Sequence, residues 1–184
     1  MRSLVLADVH ADARALERVL EDAAGAWDRL LLLGDLVGYG HEPDHVVARL
    51  RGLEPAAAVL GNHEAMLAEL LDGRRPHASR AVVEALEAHA EALDGEQLRW
   101  LVSLPLRAVA PGEAGGVGLV HANPDPERPF DYLLGVPSAR RAARHADRRI
   151  TLFGHTHVPG GFVEQDGRWR PLAARGAETR APAA

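Results

Sequence analysis

The chain has 184 residues, of which 47% are hydrophobic and 26% are charged, values that are ordinary for one globular domain with its own core. It contains neither cysteine nor lysine, which excludes disulfides, thiolate metal ligands, cysteine nucleophiles and any mechanism that needs a lysine. The formal net charge of −5 and the short apolar runs argue against a general nucleic-acid binder or a membrane protein, so we expect a cytoplasmic protein.

The first sixty residues alternate between short apolar runs and amphipathic stretches. Apolar runs at 3–7, 27–33 and 56–60 predict three β-strands. Helical spacing of apolar residues predicts helices in the two intervening segments, the first capped by Asp12 and the second with Pro43 in its first turn. This order of strand, helix, strand, helix and strand predicts a parallel sheet with right-handed crossovers.

The rest of the chain predicts further helices and two hairpins. Helices are expected at 79–93, around Leu98 to Val102, and at 138–146. Three further predictions concern strands: a hairpin of 106–110 with 117–121, a strand at 150–153, and a hairpin of 162–164 with 168–171.

Side chains that can bind metals follow five of the predicted strands. They are Asp8 and His10, Asp35, Asn62 and His63, His121, and His155 and His157. Because ligands of open α/β sheets bind beyond the carboxyl ends of the strands, we expect these side chains to lie together. Oxygen and imidazole donors without a thiolate suit Mn²⁺, Fe, Zn²⁺, Ni²⁺ or Co²⁺. The set is too large for one tetrahedral site and predicts two metal ions that share a bridging carboxylate.

The five clusters form the motifs Asp-x-His, Gly-Asp, Gly-Asn-His-Glu, a lone His at a strand end, and Gly-His-Thr-His. In this order, over residues 2–160, they resemble the calcineurin-like metallophosphoesterase family. The segments 34–40 and 121–133 are most similar to its small bacterial phosphodiesterase branch. The resemblance implies an α/β fold in which two packed mixed β-sheets are flanked by helices, a four-layer sandwich. We expect residues 1–172 to form this single domain and residues 173–184 to be a disordered tail.

The resemblance also implies a role for each residue of the motifs. The implied ligands are Asp8, His10 and His157 for the first metal, Asn62, His121 and His155 for the second, and Asp35 for both. His63 is implied to face the substrate as the catalytic side chain without binding a metal. The cofactors would be two divalent transition-metal ions, with manganese favoured. Such a pair lowers the pKa of a bridging water, so that hydroxide can hydrolyse a phosphoric ester of a small molecule or nucleotide.

The chain departs from the protein phosphatases of this family at three positions. Gly38 and Tyr39 stand where those enzymes have the second Asp and the Arg of Gly-Asp-x-x-Asp-Arg-Gly, and Leu60 stands where they have another Arg. Both phosphate-binding arginines and the carboxylate that would orient His63 are therefore missing. These replacements favour a phosphodiester over a phosphoprotein as the substrate.

The sequence leaves three further points open. The chain lacks the Asn-Pro-Gly-Ser segment and closing strand of many relatives, so one sheet edge is either short or completed by a partner chain in a homo-oligomer. A non-catalytic metal-binding scaffold for protein partners, like the retromer subunit of similar fold, is an alternative to the enzyme, although retention of His63 favours the enzyme. Tyr39 and His41 are candidates for substrate contact, whereas His89 is expected on the surface or a helix without a role.

Overall fold

A computed structural model of the chain describes residues 1–112 and 115–173. Its first sheet contains β1 (Ser3–Leu6), β2 (Arg29–Leu32) and β3 (Ala57–Ala58) in the order β1-β2-β3. All pairs in this sheet are parallel, with Leu4 opposite Leu30 and Leu31 opposite Ala57. The parallel pairing predicted from the alternation of strands and helices is therefore confirmed.

Five helices belong to the segments that connect and follow these strands. They are α1 (Ala13–Asp22), α2 (Pro43–Gly52), α3 (Asn62–Leu71), α4 (Arg80–Ala92) and α5 (Gly95–Ser103). The larger hydrophobic core joins them to the first sheet and includes Leu30, Val46, Leu67 and Leu86, all almost fully buried. Burial of these apolar side chains provides the main driving force that holds the helices on the sheet.

Helix α3 was not predicted from the sequence. The Gly-Asn-His-Glu motif was expected at the end of a strand, whereas Asn62 is the first residue of the helix. Gly61 precedes the helix in an extended conformation, and its N–H donates to the side chain of Glu64 at 2.8 Å. This bond satisfies one of the free N–H groups at the helix start and places the motif in the first helical turn.

The second sheet contains β4 (Arg107–Ala110), β5 (Val117–Val120) and β6 (Thr151–Leu152). Strands β4 and β5 are antiparallel, while β5 and β6 are parallel, so this sheet is mixed. A second core cluster takes side chains from both sheets and includes Leu31, Leu33, Val59, Ala110 and Leu119. The predicted class, two packed sheets flanked by helices, is confirmed, although the described strands of the first sheet are all parallel.

The last described segment forms helix α6 (Val136–Ala142), a 3₁₀ turn at Ala143–His145, and the antiparallel hairpin of β7 (Gly160–Gln165) and β8 (Arg168–Ala173). Within residues 1–112 and 115–173, β7 and β8 pair only with each other. An open cavity of about 860 Å³ is lined by the second sheet, α6 and this hairpin. The predicted tail lies outside the described residues from residue 174 onwards. Among the described helices, none is long and apolar enough to cross a bilayer.

Candidate metal centre

His10 lies in the loop after β1, and its ring has one nitrogen committed to the backbone. Its Nδ1 lies 3.0 Å from the carbonyl oxygen of Val37, which can only accept, so the Nδ1–H of the neutral ring donates there. The lone pair of Nε2 then points away from the backbone, 3.2 Å from Nε2 of His157. Burial lowers the pKa of His10, which favours this neutral form. Fixing the tautomer through the second ring nitrogen is typical of metal-binding histidines.

His121 repeats this arrangement at the end of β5. Its Nδ1–H donates to the carbonyl oxygen of Leu33 at 2.7 Å, so Nε2 is the nitrogen that faces the cluster. Burial opposes the charged form of His121, but the hydrogen bond and charge of Asp35 outweigh it and raise the pKa of this ring. Nε2 faces Oδ1 of Asn62 at 3.0 Å, Nδ1 of His155 at 3.1 Å and Oδ2 of Asp35 at 3.2 Å. Four possible ligand atoms, from two imidazoles, an amide and a carboxylate, thus converge within 3.2 Å of Nε2. This donor set fits a bound divalent cation.

Three groups of possible ligand atoms lie close together at this edge of the sheets. Within each group the atoms are within 4.8 Å of one another, and the groups are Asp8 with His10 and His157, His10 with Asp35 and His63, and Asp35 with His121 and His155. Asp35 is 2% exposed, and its Oδ2 lies 3.8 Å from Nε2 of His10. The structure brings all seven sequence-predicted ligands to one place with Asp35 at the centre. That each of them binds a metal stays a prediction.

Most of the predicted ligands share an unusual backbone conformation. Five of them have φ between 49° and 68°: Asp8, His10, Asp35, His155 and His157. In residues other than glycine, this left-handed region costs about 1 kcal/mol or more each. The surrounding hydrogen bonds hold these conformations in place. For example, the N–H of His155 lies 3.0 Å from both carboxylate oxygens of Asp8.

Glu64 is fully buried behind the cluster and accepts four backbone N–H groups. Its Oε2 accepts from Asp35 and Gly61, and its Oε1 accepts from Leu36 and Val37, at 2.8 to 3.2 Å. Burial and the nearby Asp35 carboxylate raise the pKa of Glu64 to about 7, whereas the four N–H groups favour its ionised form. The side chain ties the loop after β2 to the start of α3. It therefore fixes the backbone of Asp35.

His63 is buried beside this loop with its two ring nitrogens in different surroundings. Nδ1 is buried without a hydrogen-bond partner and lies so close to Gly38 that a Cβ on that glycine would overlap it. Nε2 faces the cluster, 4.0 Å from Oδ2 of Asp35. Burial lowers the pKa of His63 to about 4, so the ring is neutral near pH 7. Packing against the loop, rather than a carboxylate, orients this ring.

A family model described as the calcineurin-like phosphoesterase superfamily domain matches residues 1–173. The chain belongs to this superfamily. The match runs from β1 to the end of β8 and includes every sequence-predicted metal ligand. The family resemblance inferred from the order of the motifs is therefore confirmed.

Three relatives illustrate how this superfamily member compares with known proteins. It is 34% identical over 164 residues to a Glaesserella parasuis protein named symmetrical bis(5'-nucleosyl)-tetraphosphatase. The aligned residues cover 85% of this chain and 58% of the relative. This chain is 29% identical over 165 residues to an uncharacterized protein of Methanocaldococcus jannaschii, over 88% of this chain and 64% of the relative. The crystal structure of a metallophosphoesterase from Sphaerobacter thermophilus matches with a TM-score of 0.72 and 34% identity, over 89% of this chain and 63% of that one. The chain thus spans less than two thirds of the length of these relatives.

In this calcineurin-like chain, His89 holds the loop that follows Asp35. The ring is buried on α4, where its Nδ1 accepts the N–H of Gly38 at 3.1 Å and its Nε2–H donates to the carbonyl oxygen of Gly40 at 2.8 Å. Burial lowers its pKa, which favours the neutral form that makes both bonds. His89 lies on a helix, which is one of the two expected places, but it is buried and bonds to a distant loop that the sequence does not reveal.

The same loop carries Tyr39, and a second loop carries Tyr132. Tyr39 packs against His10 and His63, with ring centroids 4.7 and 4.8 Å away. Tyr132 stacks on His155 with a centroid distance of 4.1 Å and an interplanar angle of 23°. Tyr132 was not predicted from the sequence, although it lies in the segment that follows the predicted ligand His121. Glu64 was not predicted either, although its position in the Gly-Asn-His-Glu motif was the available signal.

Proposed function

We propose that this chain hydrolyses phosphodiesters at a centre of two divalent transition-metal ions within a single domain of residues 1–172. The observation that supports this most directly is the convergence of imidazole Nε2 atoms on Asp35, since His10 and His121 both have Nδ1 committed to the backbone. The Glaesserella parasuis relative, named as a tetraphosphatase of dinucleosides, supports a small nucleotide as the substrate class.

The residues would divide between the two ions as the family motifs imply. The proposed ligands are Asp8, His10 and His157 for one ion, Asn62, His121 and His155 for the other, and Asp35 for both. When bound, such ions supply hydroxide near neutral pH by lowering the pKa of water, and they neutralise charge on the phosphoryl group. The oxygen and imidazole donors suit manganese, iron, zinc, nickel or cobalt, of which we favour manganese.

His63 would supply a hydrogen bond to the oxygen that leaves phosphorus. Its neutral ring carries one proton, and Nε2 is the nitrogen that faces the cluster. The backbone N–H of His63 donates to Oδ1 of Asp35 at 2.9 Å, which fixes the residue relative to the proposed bridging carboxylate. Donation from Nε2–H would stabilise the negative charge that develops on the leaving oxygen.

His63→Gln is expected to lower kcat, and the size of the loss should depend on the leaving group. Help from a positioned donor is worth about 10²- to 10⁴-fold where the leaving oxygen is a poor leaving group, as in an alkyl or nucleotide ester. Nitrophenolate leaves readily without help, so its esters should lose much less. We would measure kcat for both ester types together with metal content. His45→Gln on the exposed side of α2 serves as the control. An equal loss for all leaving groups would assign His63 to the phosphoryl oxygens instead.

The metal-loaded protein is expected to cleave bis-p-nitrophenyl phosphate faster than p-nitrophenyl phosphate. The monoester is a dianion that is bound best by bidentate arginines. In this chain Leu60 is buried at one arginine position, and Tyr39 packs on His10 at the other. The test compares kcat/KM for the two esters at the same pH and metal concentration. A clear preference for the monoester would exclude a phosphodiesterase.

A further inference from the structure

Both tyrosines of the chain lie against imidazoles of the metal cluster, although they come from loops far apart in sequence. Tyr39 makes an edge contact with His10, which belongs to the group around Asp8. Tyr132 stacks on His155, which belongs to the group around Asp35. Each of the two ligand groups thus has one tyrosine ring beside it.

Each ring also keeps a large free surface. Tyr39 and Tyr132 are both 54% exposed. A ring that served only to support an imidazole would be buried more completely, since apolar ring surface gains free energy when it leaves water.

The backbone around both rings is well held, so the rings are preorganised. The loop of Tyr39 is tied to α4 by the two hydrogen bonds of His89. The loop of Tyr132 is closed by the N–H of Asn123, which donates to the carbonyl oxygen of Pro129 at 3.0 Å. A binding surface that is rigid before the ligand arrives loses less entropy when the ligand binds.

We propose that Tyr39 and Tyr132 form a stacking subsite for an aromatic ester group beside the metal cluster, and that the substrate is a phosphodiester that carries a nucleoside. This inference rests on the proposed function and narrows its substrate class. Every base has a flat face, so stacking on tyrosine accepts different bases and selects nucleosides against alkyl groups. The neutral phenols add no positive charge to the site, which agrees with a singly charged diester.

The test compares two diesters with the same leaving group: the p-nitrophenyl ester of thymidine 5′-phosphate and methyl p-nitrophenyl phosphate. Both carry one negative charge and release nitrophenolate, so the ratio of their kcat/KM values measures the contribution of the nucleoside. The native protein should prefer the thymidine ester. Tyr39→Leu and Tyr132→Leu should each lower this preference about 5- to 100-fold, the size expected for the loss of one base stack. A general loss of activity through a displaced histidine cancels in the ratio.

Two further variants separate stacking from other effects. Tyr39→Phe and Tyr132→Phe keep the ring and should keep the preference, whereas a loss as large as in the leucine variants would overturn the stacking subsite. Leu134→Ala removes an exposed side chain from the loop of Tyr132 and should leave the ratio unchanged.

The outcomes also distinguish this inference from the proposed function. If both esters are cleaved but the leucine variants keep the native ratio, the subsite is wrong and the phosphodiesterase stands. If neither ester is cleaved by metal-loaded protein, the proposed function fails. Calorimetric binding of thymidine 5′-phosphate and methyl phosphate to the same metal-loaded variants then decides the subsite. Weaker binding of only the nucleotide in the leucine variants supports it, and equal binding in all variants overturns it.

Discussion

Asp35→Asn is expected to remove most of the bound metal and to lower kcat/KM by more than about 100-fold. Even the replacement of a residue that only hydrogen-bonds to a metal ligand lowers metal affinity or activity by about 10- to 100-fold. The Oδ2 atom of Asp35 lies 3.8 Å from Nε2 of His10 and 3.2 Å from Nε2 of His121. The asparagine oxygen can keep the bond from the N–H of His63, which turns the amide NH₂ towards the two imidazoles. The NH₂ group has no lone pair for a cation, but it can donate to Nε2 of His121. The variant should therefore fold well without metal.

The measurement is the metal content of purified protein, with the melting temperature as the check on folding. Asp44→Asn in the exposed first turn of α2 is the matched control and should retain the native metal content. The metal lost by Asp35→Asn should exceed the loss caused by replacing any other single proposed ligand. Full occupancy by two ions in Asp35→Asn would show that this carboxylate does not bridge them.

Glu64→Gln is expected to lower the free energy of unfolding by about 2 to 4 kcal/mol, because each unsatisfied buried donor costs about 1 to 3 kcal/mol. The native carboxylate accepts four N–H groups with its two oxygens. Glutamine has nearly the same shape, but its NH₂ group would point at two of these N–H groups and leave them without an acceptor. The effect therefore tests the charge and the lone pairs of Glu64 rather than its volume.

Urea denaturation of metal-free protein measures this effect without the contribution of bound ions. Glu69→Gln on the same helix is the control. Glu69 is partly exposed, and its carboxylate lies 3.9 Å from Arg74, so its replacement should change the free energy of unfolding by less than about 1 kcal/mol. Equal stability of the Glu64→Gln protein and the native protein would show that the four bonds do not hold the two loops together.

The sequence predicts the position of the candidate site better than its supporting residues. Apolar runs locate β1, β2 and β5, and the polar residues that follow parallel strands must meet at one edge of a sheet. That rule places Asp8 and Asp35 together at one edge of the first sheet, whereas His121 follows β5 of the second sheet and joins them because the two sheets pack against each other. Within one parallel sheet the rule holds because it depends on chain direction alone.

The supporting residues are harder to predict because their partners are distant in sequence. Glu64 accepts N–H groups from a loop almost thirty residues earlier, and His89 bonds to glycines about fifty residues earlier. Although His89 shares the buried face of α4 with Val82 and Leu86, helical spacing does not identify the backbone groups that it bonds. Helix α3 was not predicted because Gly61, the first residue of the Gly-Asn-His-Glu motif, was interpreted as a turn after a strand, whereas it directly precedes the helix.

The left-handed backbone at five of the proposed ligands affects which mutations such a protein can accept. Glycine adopts this conformation without steric cost, so replacing Asp8 or His157 by glycine would relieve strain while it destroyed the site. Selection for folding alone would thus allow, and even favour, the loss of these ligands. A lineage released from the need for catalysis should lose them early and keep a well-folded domain.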